Sequence, residues 1–103
     1  MVARGDVYWL EPPNDKPRPA LVMTRDEAIP LLRWVVAVPT TTRIRGLPSE
    51  VPLGRDDGMP TDCVLSFDNL GLFNKAYLTR RITTLPAHRW PEVCEALNFT
   101  LAC

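Results

Sequence analysis

Two prolines around a single cation, followed at once by an apolar run, constrain this chain more than any other feature: Lys16-Pro-Arg-Pro-Ala-Leu-Val-Met-Thr24. Proline fixes its own φ and steers the residue before it out of the helical region. Arg18 is therefore expected to be extended, at the mouth of a strand, with its guanidinium on a stiff stem. A planar fork of donors held in this way suits a carboxylate or a phosphate. The same residue also reads as an ordinary turn arginine, and this segment alone does not separate the two.

Around that stretch the chain reads as short strands. Gly5 to Glu11 has β-branched and aromatic strand content, and Pro12 to Lys16 is a turn-rich loop. Arg4-Gly5-Asp6 leads straight into a strand, which argues against an adhesion tripeptide. Arg18 to Arg25 is a second strand, and Asp26 to Leu32 a loop or helical turn broken by Pro30. Trp34-Val-Val-Ala-Val38 has the continuous apolar character of a strand buried on both faces, ending at Pro39. Ser49 to Leu53, Asp62 to Asn69 and Leu78 to Leu85 complete the strands, with an acidic Gly/Pro loop from Arg55 to Pro60 and a short helix expected over Gly71 to Tyr77. Trp90, Val93, Cys94, Leu97 and Leu101 follow helical spacing, with Pro91 at the first position of that helix. These elements predict a mainly β (α+β) fold, a small SH3-like barrel or half-barrel with a C-terminal helix, in one domain over residues 1–103.

The chain has 103 residues and a formal net charge of zero, so a nucleic-acid partner cannot be argued from total charge. The charge is zoned. Lys16 to Arg45 carries six basic residues against Asp26 and Glu27, and Gly46 to Leu70 carries five acids against Arg55. Gly71 to Arg89 is again basic, with Lys75, Arg80, Arg81 and Arg89 and no acid. A neutral molecule can present a basic face in this way. Cys63, Cys94 and Cys103 have no metal-ligand spacing and are expected as buried free thiols. No apolar run is long enough to span a membrane, and Met1 to Asp6 lacks a signal core, so a cytoplasmic location is expected.

Absences narrow the chemistry. No Gly-rich phosphate loop, metal-ligand cluster or Ser/His/Asp set is present, and the single histidine, His88, is expected to be exposed. No cofactor is expected. Val38-Pro-Thr-Thr-Thr-Arg43 places a row of hydroxyls beside arginines, which can hold phosphate oxygens, although threonines at strand ends also reflect β-propensity. A reaction needing only arginine and hydroxyl is cleavage of RNA. RNA brings its own nucleophile, the 2′-OH, so a protein need only orient it and neutralise charge building on the phosphorane.

Several segments in register resemble the MazF/PemK toxins of bacterial toxin–antitoxin systems: Gly5-Asp-Val-Tyr-Trp9, Arg18-Pro-Ala-Leu-Val22, Val38-Pro-Thr-Thr-Thr42 and Gly46-Leu-Pro-Ser-Glu-Val-Pro-Leu53. Asp62 to Asn69, Leu78 to Leu85 and the helix with Glu95-Ala-Leu97 continue the resemblance over essentially the whole chain. It implies an SH3-like barrel, a homodimer, and metal-independent endoribonuclease activity on single-stranded RNA at short sequences, leaving a 2′,3′-cyclic phosphate and a 5′-hydroxyl. It also implies neutralisation by a cognate antitoxin through an acidic, partly disordered segment. The family's catalytic arginine falls on Arg18 and its catalytic threonine on Thr41 rather than Thr40. Lys16, Thr40, Thr42, Arg43 and Arg45 surround them as candidate RNA contacts. The family commonly carries a longer first loop with Gly-Ser-Glu. Here only Pro12 to Pro17 intervenes, and that glutamate has no counterpart.

A second reading of the same fold is a non-enzymatic, CcdB-like toxin that poisons a protein such as gyrase. Those toxins act through C-terminal residues that typically end in an aromatic, whereas this chain reads Thr100-Leu-Ala-Cys103. A barrel that only binds RNA or peptide fits the charge zoning and leaves the paired Arg18 and Thr41 segments unexplained.

Overall fold

The computed structural model describes Met1–Cys103. Seven strands, β1 (Asp6–Leu10), β2 (Arg18–Val22), β3 (Trp34–Thr41), β4 (Glu50–Leu53), β5 (Cys63–Ser66), β6 (Gly71–Asn74) and β7 (Leu78–Thr84), precede one helix, α1 (Trp90–Leu101). All pairings are antiparallel, in the order β4-β5-β3-β2-β1-β7, with β6 pairing β3 off that path. The outer strands β4 and β7 do not pair. A 3₁₀ turn at Arg55–Asp57 bridges them instead, its Asp57 carbonyl accepting a 3.0 Å hydrogen bond from the Thr83 hydroxyl.

Strand side chains alternate between faces, and here both faces are covered. Val7, Leu21 and Val38 join Phe67 and the helix residues Val93 and Ala96 in one core. Their neighbours Tyr8, Ala20, Val22 and Ala37 form a second core with Ile29 and Leu78. The continuous apolar run of β3 has this origin, since Val35, Ala37 and Val38 are fully buried. Pro91 sits in the first turn of α1, where its missing N–H costs nothing.

Several sequence expectations are corrected. Pro39 does not end β3, which continues to Thr41. Val36 donates to Thr24 and accepts from Met23 on the β2 side. Pro39, three residues on, therefore turns its nitrogen to the opposite side, where β3 changes partner from β6 to β5, and no ladder bond is lost there. Trp34 is half exposed rather than buried. Gly71 to Tyr77 forms β6 and a 3₁₀ turn in place of a helix. So short a segment cannot nucleate a helix alone, whereas pairing with Trp34–Ala37 gives it a full ladder. Strand β5 stops at Ser66, and Phe67–Asn69 turns so that the Phe67 ring enters the first core. Of the three thiols only Cys63 is buried. Cys94 and Cys103 lie on the solvent side of α1 and beyond its end. The Asp6 carboxylate is also buried, accepting from the Ala3 N–H and the Thr84 hydroxyl, so Arg4-Gly5-Asp6 is not a presented motif.

Candidate functional site

Arg18 opens β2, Thr40 and Thr41 close β3 and Thr42 follows it, so antiparallel pairing of these strands brings the two segments together. They line one cavity of about 330 Å³ with Lys16, Pro17, Pro19, Thr40, Thr41 and Thr42. Trp9 of β1 forms one flank. The loop after Gly58 forms the other with Met59, Pro60 and Thr61, and Cys63 lies between them. Gly58 has φ +88°, the left-handed conformation that begins this loop.

The Arg18 side chain is about one third exposed, and its Nη2 lies 3.3 Å from both Asp15 carboxylate oxygens. Asp15 Oδ1 also accepts the Lys16 N–H at 2.8 Å. The short first loop therefore places an anion on the guanidinium, at the kind of position that a phosphate oxygen would take. The expected extended, Pro-flanked Arg18 is present, and its partner is a carboxylate of its own loop.

The threonines differ in their commitments. Thr40 is buried, and its hydroxyl donates to the Pro19 carbonyl at 3.0 Å, tying β3 to β2. Thr41 is half buried and accepts the Arg43 N–H at 3.1 Å, which leaves its proton free. Thr42 is exposed at the rim. Arg43 and Arg45 are exposed beyond the cavity and do not line it. The Arg45 N–H caps the Glu50 carboxylate, which also collects the N–H groups of Gly46 and Leu47. Burial, the largest influence on it, pushes the Cys63 thiol up, so it remains a thiol at neutral pH.

Away from the cavity lining, a largely buried ion pair fixes the 55–57 turn. Arg89 reaches Asp57 at 2.5 Å, Glu92 at 2.8 Å and the Pro52 carbonyl at 2.6 Å. Burial alone would raise the Asp57 carboxyl. The Arg89 guanidinium and the Gly54 N–H outweigh it and hold the group below the ordinary carboxylate range. His88 is exposed nearby and outside the Arg18 cavity. No three His, Cys, Asp or Glu side chains converge into a group that could hold a metal ion. Met59, Pro60 and Thr61 carry no motif, and Trp9, although it ends one of the family-resembling segments, is not among the candidate site residues that the sequence offers. The half-apolar, half-cationic surroundings of Trp9 arise only from strand pairing.

The sequence model of PemK-like, MazF-like toxins of type II toxin–antitoxin systems matches residues 3–101. The chain is 38% identical over 102 residues to the probable endoribonuclease MazF5 of Mycobacterium tuberculosis, covering 98% of this chain and 94% of that protein. It is 37% identical to the probable endoribonuclease MazF2 of the same species, covering 97% and 98%. Among solved structures, the M. tuberculosis toxin MazF-mt6 superposes with a TM-score of 0.88 at 33% identity, over 94% of this chain and 96% of that one. A mycobacterial endoribonuclease in complex with its cognate antitoxin superposes at 0.87 with 25% identity, over 99% and 96%.

Proposed function

Because this chain belongs to the PemK-like, MazF-like toxins of type II toxin–antitoxin systems, we propose that it is an endoribonuclease toxin, acting as one domain on single-stranded RNA in the cytoplasm. The observation that carries the chemistry is the meeting of Arg18 with the uncommitted Thr41 hydroxyl on one cavity wall. In the proposed reaction the 2′-oxygen attacks the adjacent phosphorus and the bond to the 5′-oxygen breaks. The products are a 2′,3′-cyclic phosphate and a 5′-hydroxyl, the proton lost from the 2′-OH being balanced by one gained at the leaving oxygen. No metal is required. A guanidinium is a poor base, so the role of Arg18 is to neutralise the phosphorane. Thr41 donates to a non-bridging oxygen, and Lys16 and Thr42 hold the strand at the rim. Arg43 and Arg45 lie outside the cavity and serve RNA bound beyond it.

Asp15 must yield Arg18 when RNA enters. An exposed ion pair of this kind is weak, so the exchange is easy and favours a polyanion. An antitoxin with an acidic segment competes for the same guanidinium. A second copy of the chain covers the apolar groove of about 480 Å³ formed by Leu32, Trp34, Leu72, Leu97 and Leu101, all but Leu97 exposed. Phe73 and Trp90, by contrast, pack against the cores and do not contribute to such an interface. The reading as a non-enzymatic poison of a protein is not favoured, since the relatives are named as endoribonucleases.

Single-turnover cleavage of a labelled oligonucleotide, with analysis of product ends, tests this reading. Arg18→Ala and Thr41→Ala are each expected to slow cleavage by about 10²–10³, the usual effect of losing one transition-state donor. Thr40→Ala is expected to leave the chemical rate nearly intact and to lower stability by about 1 kcal/mol through the lost bond to Pro19. A 5′-phosphate product, or full activity in Arg18→Ala, refutes the mechanism.

A further inference from the structure

Trp9 borders three cavities at once. The first holds Arg18 and the threonines. A second, of about 380 Å³, shares Pro17 with the first and adds Glu11, Thr79 and Arg80. The third, of about 360 Å³, runs past Met59 and Pro60 to Arg80 and Arg81. The three form a trough that crosses the sheet from β2 over β1 to β7, and the register explains it: Trp9 stands opposite Pro19 on one side and Arg80 on the other.

The three tryptophans differ in their surroundings. Trp90 packs on the first core with Arg4 against its ring at 4.3 Å. Trp34 faces the leucine groove. Trp9 is partly buried among cations, its ring 6.0 Å from the Arg80 guanidinium, and it shares the first cavity with Lys16 and Arg18. Arg80 is exposed and makes no ion pair, and Arg81 bonds only the Thr84 hydroxyl. The one acid beside this part of the trough, Glu11, is held by the Thr79 hydroxyl. Neighbouring strands lie ~4.8 Å apart, so β2 and β7 are roughly 10 Å apart. That span admits one nucleotide between two phosphate-binding guanidiniums.

We propose that Trp9 is a base-stacking platform: the nucleotide flanking the cleaved bond lays its base on the indole while Arg80 and Arg81 take the next phosphate. An aromatic face accepts any base, so this subsite supplies affinity and position, and sequence choice is made elsewhere along the trough. The inference rests on the endoribonuclease reading and goes beyond it, since it gives a role to Trp9, which that reading leaves without one, and to Arg80 and Arg81, which lie outside the Arg18 cavity.

The probe is the shortest cleaved oligonucleotide, made uncleavable by 2′-deoxy substitution at the nucleotide 5′ of the cut. With Trp34→Phe and Trp90→Phe as background, binding is expected to quench the remaining Trp9 fluorescence. One abasic substitution next to the cut is expected to abolish that quench. Trp9→Ala is expected to weaken binding by roughly 5- to 150-fold, the usual loss for one stacked base, with Trp9→Phe losing less. Arg80→Gln, a surface change that leaves folding intact, is expected to reduce the slope of log K against log salt by about 0.7. An unchanged Kd in folded Trp9→Ala overturns the proposal, even where that variant loses an acidic protein partner instead. So does a quench that survives abasic substitution at every position. If Trp9→Ala does not fold, the abasic scan on the Trp9 protein and the Arg80→Gln salt slope decide the matter. Loss of the subsite with cleavage products as proposed leaves the endoribonuclease reading standing, whereas absence of any cleavage refutes that reading itself.

Discussion

Gly58→Ala tests how the far wall of the site is held. Gly58 has φ +88° and ψ 12°, and a Cβ built there would lie closer to Thr83 Oγ1 than real Cβ atoms come and 2.8 Å from Thr83 Cβ. The left-handed conformation costs a non-glycine residue roughly 1–2 kcal/mol. The clash falls on a strand side chain whose hydroxyl holds the Asp57 carbonyl at 3.0 Å, so moving it forfeits a bond worth about 0.5–1.5 kcal/mol. Together the loss is about 1.5–3.5 kcal/mol. Urea denaturation at fixed protein concentration should show a lower midpoint with an unchanged m value. Thr83→Ala removes the nearest atom but keeps its own Cβ, so relief in the double variant is partial. The double is expected to be more stable than the two single losses summed, by about 0.5–1 kcal/mol. Because this turn carries Met59, Pro60 and Thr61 to the cavity, cleavage should also fall in Gly58→Ala at temperatures where the variant is fully folded. A Gly58→Ala protein within about 0.5 kcal/mol of the parent, the range of an ordinary surface change, would refute the reasoning from backbone and contact alike.

Further outcomes concern charge and assembly. Arg89→Met leaves Asp57 buried without its partner and should cost about 3 kcal/mol, read as a shift in urea midpoint. The Asp57 carboxyl is held below its unfolded value, so its contribution is complete above about pH 4 and disappears as pH falls through the lower folded pKa. Asp57→Asn should therefore flatten the loss of stability below about pH 4 in a pH-dependent melt. Asp15→Asn frees Arg18 and is expected to tighten binding of uncleavable RNA by up to about fivefold at low salt, measured by fluorescence anisotropy; weaker binding would argue that Asp15 helps the site. Cleavage should be indifferent to EDTA, and a rate restored by added divalent ion would oppose the metal-free reaction. Trp34→Lys should convert a dimer to monomer in sedimentation equilibrium without loss of fold.

The sequence by itself determined what depends on local sterics and periodicity. Pro17 and Pro19 made Arg18 extended, the uninterrupted Trp34–Val38 run required cover on two faces, and 3.6-residue spacing behind Pro91 specified α1. Fold class was legible from these elements, whereas the pairing of Arg18 with Thr41 came from the family resemblance of their two segments. Tertiary structure decided the rest. Strand alternation puts Thr40 and Thr41 on opposite faces, yet only the register with β2 commits Thr40 to Pro19 and frees Thr41. Gly71 to Asn74 became a strand because β3 had an open edge, a fact encoded some 35 residues away. Asp15 meets Arg18 because the first loop is short, and Trp9 gains its cations because β7 returns beside β1. Arg43 and Arg45, basic neighbours in sequence, lie outside the cavity, whereas Met59 to Thr61 enter it without any motif. A residue's own propensity acts over a turn or a strand, but its chemical surroundings are set by partners that long-range pairing brings to it.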